Sequence, residues 1–186
     1  MTVKKKRLTA EDWLLAGFRA LTELGPQALK AEALARGLGA TKGSFYWHFK
    51  DVSDFHERML AHWETHAFDQ IVQAAEDEDD ATRRLFRLGA LATQNDASYG
   101  GSGAEPAIRA WGRSDRIVAA AVARVDGKRL DYIRAILTDI GVNDENTARV
   151  IYGAYIGMGT LSEADRQDNS SAMSALLTAL LNPGQS

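Results

Sequence analysis

The stretch "GATKGSFYWHF", residues 39–49, decides how this chain is read. Four aromatic rings and a histidine crowd behind a small polar turn that carries one lysine. Gly39 tolerates the positive φ that a tight helix-to-helix turn needs. The Thr41 hydroxyl is suited to cap a new helix. Phe45 and Phe49, four apart, fall on one face once that helix forms. The spacing therefore predicts a helix of under two turns over residues 41–47, with a polar N-terminal turn facing outward and phenylalanines anchoring it from behind.

Working outward, residues 9–24 read as a first helix. Thr9 with Asp12 resembles a capping box with the shorter acid, Leu14, Phe18 and Leu21 share a buried face, and Gly25-Pro26 stops it. A short second helix over 31–38 has Leu34, Ala35 and Leu38 as its apolar side. A fourth helix starts near Asp51 or Ser53 and carries Phe55, Met59, Leu60 and Trp63. The rest is helical as well, at about 81–94, 105–112, 115–140, 143–164 and 170–181. The chain has only three prolines and no period-2 run of β-branched residues, so an all-α fold of about nine helices is expected.

With 186 residues, 45% of them apolar, the chain can bury a good-sized core. It has no cysteine, which excludes disulfides, thiolate metal sites and a cysteine nucleophile. No run approaches the length of a membrane helix, and "VKKKRLTAEDW" puts charges where a signal peptide needs apolar residues, so a cytoplasmic protein without a membrane partner is expected. The formal net charge of -3 hides an asymmetry. Residues 1–50 carry nine Lys and Arg against four Asp and Glu, and the remainder thirteen against twenty-one. A basic segment followed by an acidic one suits a protein whose N-terminal part meets a polyanion.

Two short helices joined by a glycine turn, braced by a longer helix and lying in the basic segment, describe a helix-turn-helix. The second short helix would enter the major groove of double-stranded DNA with its N-terminal turn near the bases, where free N–H groups and the positive helix end favour phosphate. Thr41, Lys42 and Ser44 are placed there, and Gly43 leaves room for close backbone approach. Tyr46 and His48 carry donors that reach phosphates at the groove edge. Trp47 either buttresses helix 4 or lies along the DNA backbone.

"EALARGLGATKGSFYWHFKD", residues 32–51, resembles the DNA-binding domain of TetR/AcrR-family transcriptional regulators in length, order and spacing. The resemblance implies Lys42 near base edges or phosphates, and Thr41, Ser44, Tyr46 and His48 mostly on the backbone. Two positions depart from the family pattern. Lys30 stands where Ser or Thr often opens helix 2, and Val52 where Lys or Arg is usual near the start of helix 4; Lys50 is placed to replace that second charge. Lys30 is kept among the candidate DNA contacts. The division expected is 1–52 for the DNA-binding domain, with 1–8 a basic arm, and 53–186 for a ligand-binding and dimerisation domain, helix 4 connecting them.

Beyond residue 65 the reading rests on physics. The last helix has a dense apolar face of Met173, Leu176, Leu177, Leu180 and Leu181, and Gly153 and Gly157 on the preceding helix admit a close backbone. An intrachain core would use them; the resemblance implies instead a homodimer built on the two final helices. It also implies a small-molecule effector held among helices 5 to 8. Candidate pocket residues are Phe86, Asn95, Tyr99 and Trp111, with Tyr132, Tyr152, Tyr155 and Met158, since aromatic walls with a few polar handles suit such a ligand.

Sharper chemistries fare less well. The "EDEDD" run at 76–80 lacks calcium-loop spacing and reads as a solvated connection. His62, His66 and Asp69 share a helix face with metal-compatible ligands, but the sequence nominates no fourth ligand and no metal or other cofactor is expected. "GGSGA" at 100–104 lacks the strand of a nucleophile elbow, and all four histidines lie upstream of it. The expectation is a ligand-responsive regulator, most simply a repressor, on a palindromic operator and without enzymatic activity. The alternative is an all-α carrier or enzyme with a structural helix-turn-helix.

Overall fold

Thr9 opens the first helix through a reciprocal cap. In the computed structural model, which describes residues 7–93 and 103–182, its hydroxyl accepts from the Asp12 amide at 3.2 Å and the Asp12 carboxylate accepts from the Thr9 amide at 2.7 Å. Helix α1 spans Ala10–Leu24 and ends at Gly25, whose φ of 80° turns the chain into a single 3-10 turn, Pro26–Ala28. Helix α2 is Ala31–Gly37 and α3 is Lys42–Phe45. Helix α4 begins as Val52–Glu64, widens through a π-helical stretch at Thr65–Gln70 and finishes as Ile71–Ala75. Then come α5 (Ala81–Thr93), α6 (Ala104–Gly112), α7 (Arg116–Asp139), α8 (Glu145–Asp165) and α9 (Ser170–Leu181). Among the described residues there are no strands, and the all-α reading holds.

The helix boundaries follow local chemistry. The Asp51 carboxylate accepts from the Asp54 amide at 2.8 Å and starts α4, while Asp54 accepts from the Lys50 amide at 2.9 Å. Asp115 and Asp144 cap α7 and α8 in the same way. The acidic run at 76–80 is a connection, and Asp80 accepts from the Arg83 amide at 2.8 Å to start α5. Most of the "GGSGA" stretch lies outside the described residues.

Two apolar clusters organise the packing. The first joins α1 to α4 around Trp13, Phe18, Phe45, Phe49, Phe55 and Trp63, and runs on into Ile108 and Trp111 of α6 and Val118 and Val125 of α7. α1 and α4 meet closely: a Cβ on Gly17 would stand 2.6 Å from the Phe55 ring, so only glycine fits there. The second cluster gathers Leu85, Ile133, Ile136, Ile151, Met173 and Leu177 from α5, α7, α8 and α9. α7 belongs to both clusters, its first half packing with the N-terminal helices and its second half with the C-terminal ones.

Candidate nucleic-acid interface and internal cavity

The turn before α3 is built by Gly39. Its φ is 59°, its amide donates to the Arg36 carbonyl at 3.1 Å, and the Ala40 amide donates to the Ala35 carbonyl at 2.8 Å. Those two bonds satisfy the last carbonyls of α2 and redirect the chain. Thr41 then caps α3, its hydroxyl oxygen accepting from the Ser44 amide at 3.2 Å, while the Ser44 hydroxyl donates to the Thr41 carbonyl at 2.8 Å. The cap leaves the Thr41 hydroxyl proton free to point outward.

Thr41, Lys42 and Gly43 are exposed and Ser44 is half-buried, whereas Phe45 is fully buried. Phe45 meets Trp13 of α1 edge-on at 5.4 Å and Phe55 of α4 at 5.4 Å, and Phe49 meets Phe55 at 5.0 Å. The short helix is thus anchored to α1 and α4, as the spacing predicts. Tyr46, Trp47 and Lys50 stand exposed beyond it and His48 is half-buried. Trp47 is 80% exposed, so it does not buttress α4. Lys30 is exposed at the start of α2, where its side chain makes no cap.

On the far side of α4 lies a cavity of about 50 Å³. Ala67, Phe68, Ile71 and Val72 of α4 form one wall, and Leu85 and Leu88 of α5 face them. Tyr132, Tyr152 and Tyr155 also line it, together with Met173 and Leu177. Of the other candidate pocket residues, Met158 borders a second hollow of about 210 Å³ between α6 and α8, which Tyr155 shares. Trp111 lines neither space, because its ring packs edge-on against His56 of α4 at 5.0 Å in the N-terminal core. Phe86 lies at the margin of the C-terminal cluster and lines neither space. Asn95 and Tyr99 lie outside the described residues.

The dimer candidates also divide. Gly153 and Gly157 are exposed, and a Cβ on either would meet nothing within 4 Å. Leu176, Leu180 and Leu181 are half-buried. Met173 and Leu177 are corrected from interface to core: they are 2% and 1% exposed, pack over Gly89 of α5, and have no area left for a partner.

A buried polar knot borders the cavity, and the sequence reading missed it. Glu105 of α6 bonds the guanidinium of Arg129 at 2.7 and 2.9 Å and that of Arg109 at 2.8 Å. Arg109 also holds Asp126 at 2.6 Å. The Tyr152 hydroxyl donates to Asp126 at 2.7 Å and accepts from Arg109 at 2.9 Å, and the Tyr155 hydroxyl donates to Glu105 at 3.2 Å. Arg129 closes the knot onto α4 by donating from Nη2 at 2.8 Å and Nε at 3.2 Å to the Ala67 carbonyl in the π-helical stretch. Burial alone would raise the Glu105 carboxyl, but the Arg129 and Arg109 charges outweigh it and hold it at about 2. Burial pushes the Tyr152 phenol up to about 12, keeping it protonated.

The histidine face carries a different arrangement from a metal site. The His62 and His66 ring centroids lie 4.0 Å apart with the planes tilted by 30°, and His66 Nδ1 is bonded to the His62 carbonyl at 2.8 Å. Among the described residues, no group of three or more His, Cys, Asp and Glu is placed to share an ion. No helix of the described residues is long and apolar enough to cross a membrane.

Residues 14–54 match the family described as "Bacterial regulatory proteins, tetR family". No curated protein matches the sequence. Among solved structures, a transcriptional regulator from Rhodococcus sp. Rha1 superposes with a TM-score of 0.73 at 15% identity, over 95% of this chain and 97% of that one. A TetR-family transcriptional regulator from Streptomyces coelicolor gives 0.71 at 15% identity, over 95% and 90%. The fatty acid degradation regulator FadR from Bacillus halodurans gives 0.69 at 14% identity, over 97% and 99%. At these identities the likeness is one of fold, and it extends over nearly the whole chain.

Proposed function

We propose that this TetR-family transcriptional regulator is a ligand-responsive repressor that grips a palindromic operator as a homodimer and lets go when a small molecule enters its C-terminal half. The observation that carries the reading is the construction of α3. A helix of four residues cannot persist in water, yet here a fully buried Phe45 fixes it to two longer helices while its capped N-terminal turn faces solvent. A rigid display of Thr41, Lys42, Gly43 and Ser44 is what groove entry requires. Tyr46, His48 and Lys50 flank that turn as phosphate contacts, Trp47 lies against the DNA backbone, and Lys30 adds a charge beside it. Residues 1–52 form the reading head and 53–186 the part that binds the effector and the second copy.

Genomic footprinting of bound sites would identify the operator. On that fragment, binding should weaken steeply with salt, by a slope of about -0.9 for each phosphate neutralised. The double variant Lys42→Ala, Tyr46→Ala should lose the gel shift while sedimenting like the wild type. An unchanged affinity would sink the assignment of α3.

A further inference from the structure

The class of molecule that the cavity takes can be read from its polar inventory; the inference rests on the cavity being the effector site proposed above. Among the described residues few polar side chains border it, namely Arg129 and the three tyrosines Tyr132, Tyr152 and Tyr155. Arg129 has no donor to spare. Nε and one Nη2 proton go to the Ala67 carbonyl, the other Nη2 proton and one Nη1 proton go to Glu105, and the second Nη1 proton faces the Tyr152 hydroxyl at 3.4 Å. Its charge, with that of Arg109, is matched by Glu105 and Asp126. An anionic ligand would have to break this closed set, and the carboxylate it displaced would be left buried and unpaired. The Tyr152 and Tyr155 hydroxyls are committed to Asp126 and Glu105.

Tyr132 is different. Its ring lines the cavity and sits edge-on to Phe68 at 6.2 Å, and its hydroxyl is buried without a hydrogen-bond partner among the described residues. Glu76 and Arg84 are near enough to act on it electrostatically, but neither bonds it. A buried hydroxyl left unmade is costly, and the rest of the wall is hydrocarbon: Phe68, Ile71, Leu85, Leu88, Ile133 and Leu177.

We propose that the cavity binds a neutral, apolar molecule carrying one hydrogen-bonding oxygen, and that the Tyr132 hydroxyl is the group that receives that oxygen. The room of about 50 Å³ is smaller than the roughly 150 Å³ of a cavity that holds benzene. Occupancy therefore spreads the walls, and one wall is the end of α4.

Three probes that share one tolyl ring and differ in its para substituent test this: toluene, p-cresol and p-toluate, titrated calorimetrically into the full chain without DNA, with the neutral 4-methylbenzamide as the size control for p-toluate. The wild type should bind p-cresol at least as well as toluene and reject p-toluate. Tyr132→Phe removes only an unpartnered oxygen, so a preserved melting transition is expected, and the cresol-to-toluene affinity ratio should fall about tenfold. The proposal is overturned if p-toluate binds tightest, if the ratio is unchanged in the variant, or if no probe binds. DNA release is scored separately. A cresol that binds with the predicted Tyr132 dependence yet leaves the operator complex intact would sink the effector reading and leave the ligand class standing.

Discussion

A single residue, Phe45, sets whether the N-terminal part can present anything to a groove. Its ring lies within 5.0 to 5.4 Å of those of Trp13, Tyr46, Phe49 and Phe55. The Lys42–Phe45 helix has one capped turn and no other buried side chain, so that ring is its tertiary anchor. Phe45→Ala should cost about 3–5 kcal/mol, the usual loss for a buried phenylalanine, as read from chemical denaturation. Operator affinity should fall further than the fraction unfolded accounts for, since α3 loosens in the chains that still fold; affinity that tracks the folded fraction would show that α3 holds without its anchor. Phe45 and the residues in front of it were legible because every cue is local: the glycine turn, the cap and the four-residue spacing of the phenylalanines all fall inside eleven positions. Trp47 was not legible, because the two readings of its ring differ only in which way it faces.

Among the elements, α7 is the one that ties the halves together. Arg124 grips Glu64 at 2.6 Å and Arg129 holds the Ala67 carbonyl at 2.8 Å, so two side chains five residues apart clamp the middle of α4. The widened turn at Thr65–Gln70 is where α4 accepts the second clamp. Glu105 keeps Arg129 aimed. Because its folded carboxyl lies at about 2, below the ordinary value of about 4.3, it adds stability in full above that ordinary value, and the contribution drains away as pH falls toward 2. Glu105→Gln should therefore destabilise the chain by about 3–5 kcal/mol at neutral pH, as breaking a buried pair does. The gap between variant and wild type should narrow between about pH 4.3 and 2 in acid-denaturation curves; a gap constant with pH would argue against a carboxylate clamp. None of this was visible in the sequence. Glu105 and Arg109 stand four apart, but so do Glu32 and Arg36, whose side chains are 72% and 80% exposed. What buries one pair and not the other is Asp126, Arg129, Tyr152 and Tyr155, which reach it from 17 to 50 residues away.

At the scale of the whole molecule, α8 poses a problem that the proposed second copy would resolve. Val150, Gly153, Gly157 and Leu161 recur at helical spacing, and all four are exposed. Glycine inside a helix costs about 1 kcal/mol relative to alanine, and nothing among the described residues requires it here, since an added Cβ at either glycine would meet none of their atoms within 4 Å. The cost has a physical reason if another backbone lies against that face, and α9 adds the half-buried Leu176 and Leu180 beside it. With Met173 and Leu177 spent inward, the proposed contact would depend on close approach of helices more than on a broad leucine face. Gly153→Ala with Gly157→Ala should then separate two quantities that usually move together. Monomer stability should rise by about 1 kcal/mol per site, while association, measured by sedimentation across concentration, should weaken. Operator binding should weaken with it, because two recognition helices must sit about 34–36 Å apart to enter successive major grooves. If association is unchanged or stronger, the helix pair is not the interface, and the two-fold geometry must come from another face.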